Sequence, residues 1–273
     1  MIKVGTSGFQ FADWKGVVYP EGIKAPEMLP YLEREWGFQA MEVNFTYYSM
    51  PGTRTFQSLA EKTSQGMDFS VKAHQTMTHR VPATPAERED VFSRFAGALR
   101  PLEAQGKLAA VLFQFPYGFA PKPESYAYLI EVRERLSGLP VVVELRNAAW
   151  DSELPALTKF LREHDLAYCA VDLPRLKGLP ALHAEFTAEP AYLRLHGRNH
   201  KWFKATRDER YDYLYTDEEL HEFLPPIHTL QERAAKTLVF FNNCHAGQAA
   251  LNGRTLMRML QEEGLLEEFM APE

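Results

Sequence analysis

Cysteine is scarce in this chain, two in 273 residues, and both Cys169 and Cys244 sit inside apolar, strand-like runs. That excludes a disulfide-stapled secreted scaffold and suits reduced core thiols, so a cytoplasmic protein is expected. Long hydrophobic runs are missing too. Nothing approaches the roughly 20 apolar residues of a membrane-spanning helix, and the opening MIKVGTSGF enters a strand without the basic-then-apolar pattern of a secretory signal. No Gly/Ser-rich linker or low-complexity tract interrupts the sequence, which argues for one domain over 1–273. Basic charge is not in excess: the net charge of -6 disfavours extended duplex nucleic acid as a partner and leaves room for a local basic site. No HExxH and no clustered His/Cys spacing occurs, so no obligatory metal cofactor is expected.

What the chain does contain is repetition of a different kind. Short β-branched or apolar runs recur as IKVGT (2–6), AMEVNF (40–45), DFSVKAH (68–74), LAAVLFQF (108–115), PVVVELR (140–146), LAYCAVD (166–172), AYLRLHG (191–197) and TLVFFNN (237–243). Between most of them apolar residues fall at helical spacing, as in Leu29, Leu32 and Trp36 or Leu154, Leu157 and Leu161. A Thr216-x-x-Glu219 capping box opens a further helix, which Pro225-Pro226 then breaks or kinks. Eight strand–helix alternations in one chain predict an α/β fold, a (β/α)8 TIM-type barrel. The stretch between the sixth and seventh strands is proline-rich and weakly periodic, so its helix is expected to be short or missing. A doubly wound open sheet is the competing architecture. It would carry a nucleotide fingerprint after its first strand, and Gly5-Thr6-Ser7-Gly8 is too short to serve.

Within these runs the charges alternate with apolar residues. Side chains on a strand point to opposite faces in turn, so parity groups Glu42 with Asn44, Ser70 with Lys72 and His74, and Leu112 with Gln114. It likewise groups Val142 with Glu144 and Arg146, Ala170 with Asp172, Arg194 with His196, and Phe240 with Asn242. The polar members lie toward the C-terminal ends of their strands, the end at which such barrels build active sites. Isolated buried charges are costly, so Glu42, Glu144 and Asp172 are expected to pair with Lys72, Arg146 and Arg194. A purely structural ion-pair plug is the plain alternative; it leaves unexplained why so many strand ends are polar. For His74 and His196, a hydrogen-bonded core role stands beside the functional one.

The loops after the strands are aromatic, with Phe9, Phe11, Trp14 and Tyr19 after the first, Tyr47 and Tyr48 after the second, Trp150 after the fifth, and Trp202 and Phe203 after the seventh. Such faces stack on a base or a sugar, or pack on one another as a lid. The rim segment beginning at Gly197 mixes Arg198, His200, Lys201 and Lys204 with aromatics, as an anionic ligand would suit, although its own Asp and Glu residues offset the charge. After the last strand, Cys244-His245-Ala246-Gly247 leads toward a helix start, a corner where barrels often hold phosphate.

Taken together, GTSGFQFADWKGVVYP, EVNFTYYSMP, FSVKAHQTMTH, LFQFPYGF, VVELRNAAW, YLRLHGRN with RYDYLY, and FFNNCHAG resemble the YecE-like family, domain of unknown function 72. The resemblance runs over nearly the whole chain. It implies a TIM-type barrel in bacterial-type cytoplasmic proteins and no agreed activity.

Three functions follow. The first is a hydrolase-like acid–base enzyme acting on a small anionic, sugar- or nucleotide-like ligand, with Glu42, Glu144, His74 and His196 as catalytic candidates. Its ligand-binding candidates are Asn44, Lys72, Gln114, Arg146, Asp172, Arg194, Arg198, Trp202, Asn242, His245 and Gly247. The second is a metal-dependent isomerase or phosphodiesterase, in which Glu42, His74, Glu144, Asp172 and His196 would hold a divalent cation against the repulsion of the nearby cations. The third is a non-catalytic nucleic-acid or small-ligand binding module that uses the basic, aromatic rim.

Overall fold

A computed structural model describes residues 1–267 of the chain. Eight parallel strands run β1 (Ile2–Ser7), β2 (Ala40–Val43), β3 (Asp68–Lys72), β4 (Leu108–Gln114), β5 (Val141–Glu144), β6 (Ala167–Asp172), β7 (Ala191–Leu195) and β8 (Thr237–Phe241). They pair in sequence order, and β8 returns to β1 with Ile2 opposite Thr237 and Thr6 opposite Phe241, closing the barrel. Around it lie α1 (Ala25–Trp36), α2 (Thr53–Glu61), α3 (Pro85–Ala104), α4 (Pro123–Arg135), α5 (Ala149–Ser152) and α6 (Leu154–Glu163). They are followed by α7 (Arg207–Arg210), α8 (Asp217–His221), α9 (Leu224–Gln231) and α10 (Gln248–Glu262). The expected (β/α)8 architecture is therefore the observed one. Among the described residues no helix is long and apolar enough to cross a membrane.

Outward-facing Val43, Val71, Val111, Val143, Leu193, Leu195 and Val239 pack with the helices into one large buried cluster. A second, smaller cluster fills the lumen, with Leu112, Val142, Cys169, Val171, Tyr192, Leu238 and Phe240 among its members. Gly5 is needed where β1 passes β2. A Cβ there would stand 1.9 Å from the Ala40 carbonyl oxygen and 3.2 Å from the Phe240 ring. The N-terminal end of the lumen is sealed by charge: Asp68 takes Lys3 at 2.9 Å and Lys236 at 2.6 Å.

Between β6 and β7 no helix forms. Thr187 accepts from the Tyr168 amide at 2.8 Å and donates to the Leu166 carbonyl at 2.6 Å, so an irregular segment lies against the outside of β6 where a helix would otherwise pack. Pro225 and Pro226 do not kink a helix. They lie in the first turn of α9, where a missing N–H leaves no bond unmade, and α8 has already ended at His221 after starting at its Thr216/Glu219 capping box.

Several strands stop about two residues before their apolar runs end. Asn44 is already in the right-handed helical region at φ -102°, ψ -18°, and His74 caps the turn Gln75–Met77. Strand parity loses its meaning beyond those points.

Candidate functional site

The registers turn alternation into placement. Ser7 lies opposite Glu42, Glu42 opposite Ser70, and Gln114 opposite Glu144, so β1 to β5 bring one polar side chain each to the same end of the lumen. From β7, Arg194 extends between the two glutamates. Its Nε and Nη2 donate to the Glu42 carboxylate at 2.9 and 2.6 Å, and Nη1 donates to Glu144 Oε2. Tyr192, one inward position below, donates to Glu42 Oε2 at 2.8 Å and contacts Ser70 Oγ at 2.6 Å. Glu42, Glu144, Arg194 and His196 are wholly inaccessible to solvent.

A guanidinium held between two carboxylates is what makes this burial tolerable, because each charge keeps charge-assisted hydrogen bonds in place of water. Burial works to raise the Glu144 carboxyl, yet the Arg146 and Arg194 guanidiniums together hold it well below the usual range. Arg146 Nε donates to Glu144 Oε1, and its Nη2 lies 3.4 Å from His196 Nε2. Asn242 Nδ2 lies 2.8 Å from His196 Nδ1, and His196 Nε2 lies 3.5 Å from Glu144. Burial, then the Arg146 charge, pushes His196 well below the usual histidine range and keeps it neutral.

Lys72 stands beside this assembly. Its Nζ donates to Gln114 Oε1 at 2.8 Å and lies 4.9 Å from the centre of the Tyr47 ring. Burial, followed by the Arg194 charge, lowers the ammonium to about 7, against the opposing pull of Glu144 and Glu42. The histidine that faces these cations is His79. Burial and then the Lys72 and Arg146 charges bring it down to about 4, and it packs edge-on against Tyr47 at 5.0 Å. Both histidines lie in FSVKAHQTMTH, and alternation singled out the wrong one. His74 turns back on its own chain, with Nδ1 2.7 Å from Thr76 Oγ1, as the cap of the following turn.

Next to the charged assembly opens a cleft of about 690 Å³. Ser7, Glu42 and Asn242 reach it from below, and Phe9, Phe11, Phe45, Tyr48 and Tyr211 wall it. Asn44 also lines it, and the Asn44 Oδ1 is buried without a hydrogen-bond partner among the described residues. Other rim aromatics belong to the core. Trp14 and Trp150 are buried and donate their ring N–H to the carbonyls of Cys244 at 2.6 Å and Phe119 at 2.7 Å. Trp202 is buried above the assembly, 5.9 Å from the Arg146 guanidinium and 6.3 Å from the His196 ring.

Three expectations are corrected. On β6 the inward set is Cys169 and Val171, paired with Tyr192 and Arg194, so Asp172 pairs with Leu195 and faces outward. There it accepts from Arg198 Nε at 3.1 Å and from Tyr215 OH at 2.6 Å. Arg198 in turn is engaged by Glu222 at 2.8 Å and Glu219 at 3.5 Å, so its charge is neutralised within the fold and is not offered to a ligand. At the corner after β8, the Ala246 amide already donates to Asp13 Oδ2 at 2.7 Å. Gly247, at φ +81°, lies against Val18 and Val17, where a Cβ would meet them at 2.9 and 3.0 Å. His245 does line the cleft, 3.9 Å from Asp212.

The donor set for a divalent cation is not assembled either. Among the described residues no group of three or more His, Cys, Asp and Glu could hold a metal ion. Arg194 lies between Glu42 and Glu144, Asp172 faces outward, and His74 points away.

A family model described as "Protein of unknown function DUF72" matches residues 3–272. The chain belongs to the DUF72 family. Among curated proteins this DUF72 chain is similar to the UPF0759 protein YunF of Bacillus subtilis, 28% identical over 275 residues and covering 96% of each. Among solved structures it is similar to a DUF72 family protein from Thermotoga maritima, with 40% identity, TM-score 0.88, and 96% and 99% of the two chains covered. The D-psicose 3-epimerase of Clostridium cellulolyticum shares the fold alone, at 10% identity and TM-score 0.57, with 97% and 100% covered.

Proposed function

We propose that this DUF72 protein is an acid–base enzyme whose ligand is a small anionic, sugar- or nucleotide-like molecule bound at the C-terminal mouth of the barrel. The observation that carries this reading is the Lys72 Nζ, hydrogen-bonded to the neutral Gln114 amide at 2.8 Å beside the Arg146 and Arg194 charges that help lower the ammonium to about 7. A proton-transferring group works best when its affinity lies near the working pH. Glu42 and Glu144, the first candidates for dividing acid and base roles, suit that work poorly, because both are tied to Arg194 and Glu144 is kept ionised. They serve instead as fixed charges that hold Arg194 and Arg146 in place, and the proton carrier is Lys72.

Neutral His196 offers a hydrogen-bonding ring without charge. Arg146, at the outer edge of the assembly and under Trp202, is the group placed to meet an anion. Cleft walls of Phe9, Phe11, Phe45, Tyr48 and Tyr211 suit the flat face of a sugar or base. The metal-dependent alternative is disfavoured by the guanidinium between the two glutamates. The nucleic-acid alternative is weakened because Arg198, a main member of its basic rim, is neutralised internally.

An anion bound beside Lys72 would favour its charged form, so binding near neutral pH should take up protons. Calorimetric titration with hexose phosphates and nucleoside monophosphates, in buffers of different ionisation enthalpy, reads this directly. The expected result is binding with proton uptake, with the uptake lost in Lys72→Met and the affinity lowered in Arg146→Met. If none of these anions binds, or if uptake persists without Lys72, the reading is wrong.

A further inference from the structure

We propose that Lys72 is also a nucleophile, and that its amine forms an imine with an anionic carbonyl compound held in the mouth of the barrel. This rests on the mouth being a ligand site and goes beyond it by naming covalent chemistry and a substrate class.

The geometry is that of an amine kept from being a fixed cation. The Lys72 Nζ hydrogen bond goes to a neutral amide oxygen, Gln114 Oε1 at 2.8 Å, and no carboxylate among the described residues lies within ion-pair distance of it. The two nearby glutamates are turned to guanidiniums, Glu42 to Arg194, and Glu144 to Arg194 and Arg146. Arg194, Arg146 and His79 all face the amine or act on it, and the Tyr47 ring lies below it at 4.9 Å. An amine crowded by guanidiniums and partly withdrawn from water loses its extra proton readily, which is how enzymes obtain a nucleophilic lysine. Near neutral pH Lys72 therefore holds far more of the neutral form than a lysine at the reference value, which holds roughly one part in 2,500.

In the step proposed, the amine nitrogen bonds to the carbonyl carbon, both amine hydrogens leave with the carbonyl oxygen as water, and a carbon–nitrogen double bond remains. No oxidant or reductant is consumed. Protonated, that imine draws electrons from the adjacent carbon, so the reaction class it serves is removal of a proton or a carbon group next to a carbonyl. Arg146, whose charge acts on the amine, would hold the anionic end.

The full-length protein is to be incubated near neutral pH with pyruvate, dihydroxyacetone phosphate or glycolaldehyde in the presence of cyanoborohydride, which reduces an imine to a stable secondary amine. Peptide mass spectrometry then gives the rate at each lysine. The expected result is modification of Lys72 at least about tenfold faster than of exposed lysines such as Lys62 and Lys122, absent in a folded Lys72→Arg variant and slowed for the two anionic probes in Arg146→Met. Labelling of Lys72 no faster than of exposed lysines with every probe overturns the imine. Should that happen while phosphate ligands still bind with Lys72-dependent proton uptake, the covalent step falls and the acid–base reading stands.

Discussion

Glu144 and Lys72 both reach into the same lumen, and their substitutions should behave in opposite ways. Removing Glu144 as a charge, in Glu144→Gln, leaves the Arg146 and Arg194 guanidiniums deficient in a fully buried place. Breaking a buried pair in this way costs about 3–5 kcal/mol, so urea unfolding should show a loss of that order; a change under about 1 kcal/mol would show the assembly to be relaxed and wet. Among the described residues Lys72 has no carboxylate partner to strand. Lys72→Met replaces a poorly solvated amine by an apolar chain of similar length, and it is expected to unfold at or above the wild-type denaturant concentration while losing anion-linked proton uptake. Function lost with stability retained marks a group held for chemistry. Much of this level was legible from alternation alone, since Glu42, Lys72, Gln114, Glu144, Arg146, Arg194, His196 and Asn242 do meet at one end. His79 was not, because it lies in a turn where no periodicity applies.

At the level of elements, β6 shows where alternation fails. Which of its two faces is inner depends on whether Val171 or Asp172 pairs with Arg194, and that register is set between strands. Asp172 on the outer face instead anchors the segment that follows β7. Its carboxylate accepts the Tyr215 hydroxyl, and that same hydroxyl oxygen accepts the Gly197 amide at 2.7 Å. Tyr215→Phe therefore leaves the buried Gly197 amide without its partner and the Asp172 carboxylate with Arg198 alone. The expected cost is about 1–3 kcal/mol for the amide left unmet. Hydrogen exchange should show the increase in opening concentrated between Gly197 and Thr216, with β1 to β5 unaffected. Uniform loosening of the whole barrel would contradict this local role. The irregular segment before β7 was legible as the absence of a helix, because prolines and weak periodicity show in composition; that Thr187 holds it to β6 was not.

For the whole molecule the lowered groups Lys72, His196, His79 and Glu144 act in one direction with pH. Folded Lys72 binds its proton only near 7, whereas the unfolded chain binds one from about 10.4 downward, so stability falls as pH drops across that interval and the Lys72 contribution is constant below it. His196, kept neutral in the fold, extends the loss below about 6.5, where the unfolded histidine becomes charged. Glu144, held below the usual carboxylate range, contributes stability above about 4.3 that is lost as the pH falls further toward its folded value. Asp172 opposes this only in the acid range, because burial raises it. Melting temperature is thus expected to rise from mildly acidic to mildly alkaline pH, and Lys72→Met should flatten the alkaline part of that rise. A melting temperature that peaks in acid would show that these groups are not shifted as the fold implies.

What the amino-acid sequence determined by itself was the barrel and the end of it at which polarity collects, because strand and helix periods and the position of charges within each run are properties of neighbouring residues. Tertiary structure alone decided which charges meet: that Arg194 lies between Glu42 and Glu144, that Asp172 faces outward, that His79 and not His74 faces the cations, and that among the described residues no carboxylate pairs with Lys72. Those outcomes depend on inter-strand register and on how far each side chain is removed from water, and both arise only when all eight strands close on one another.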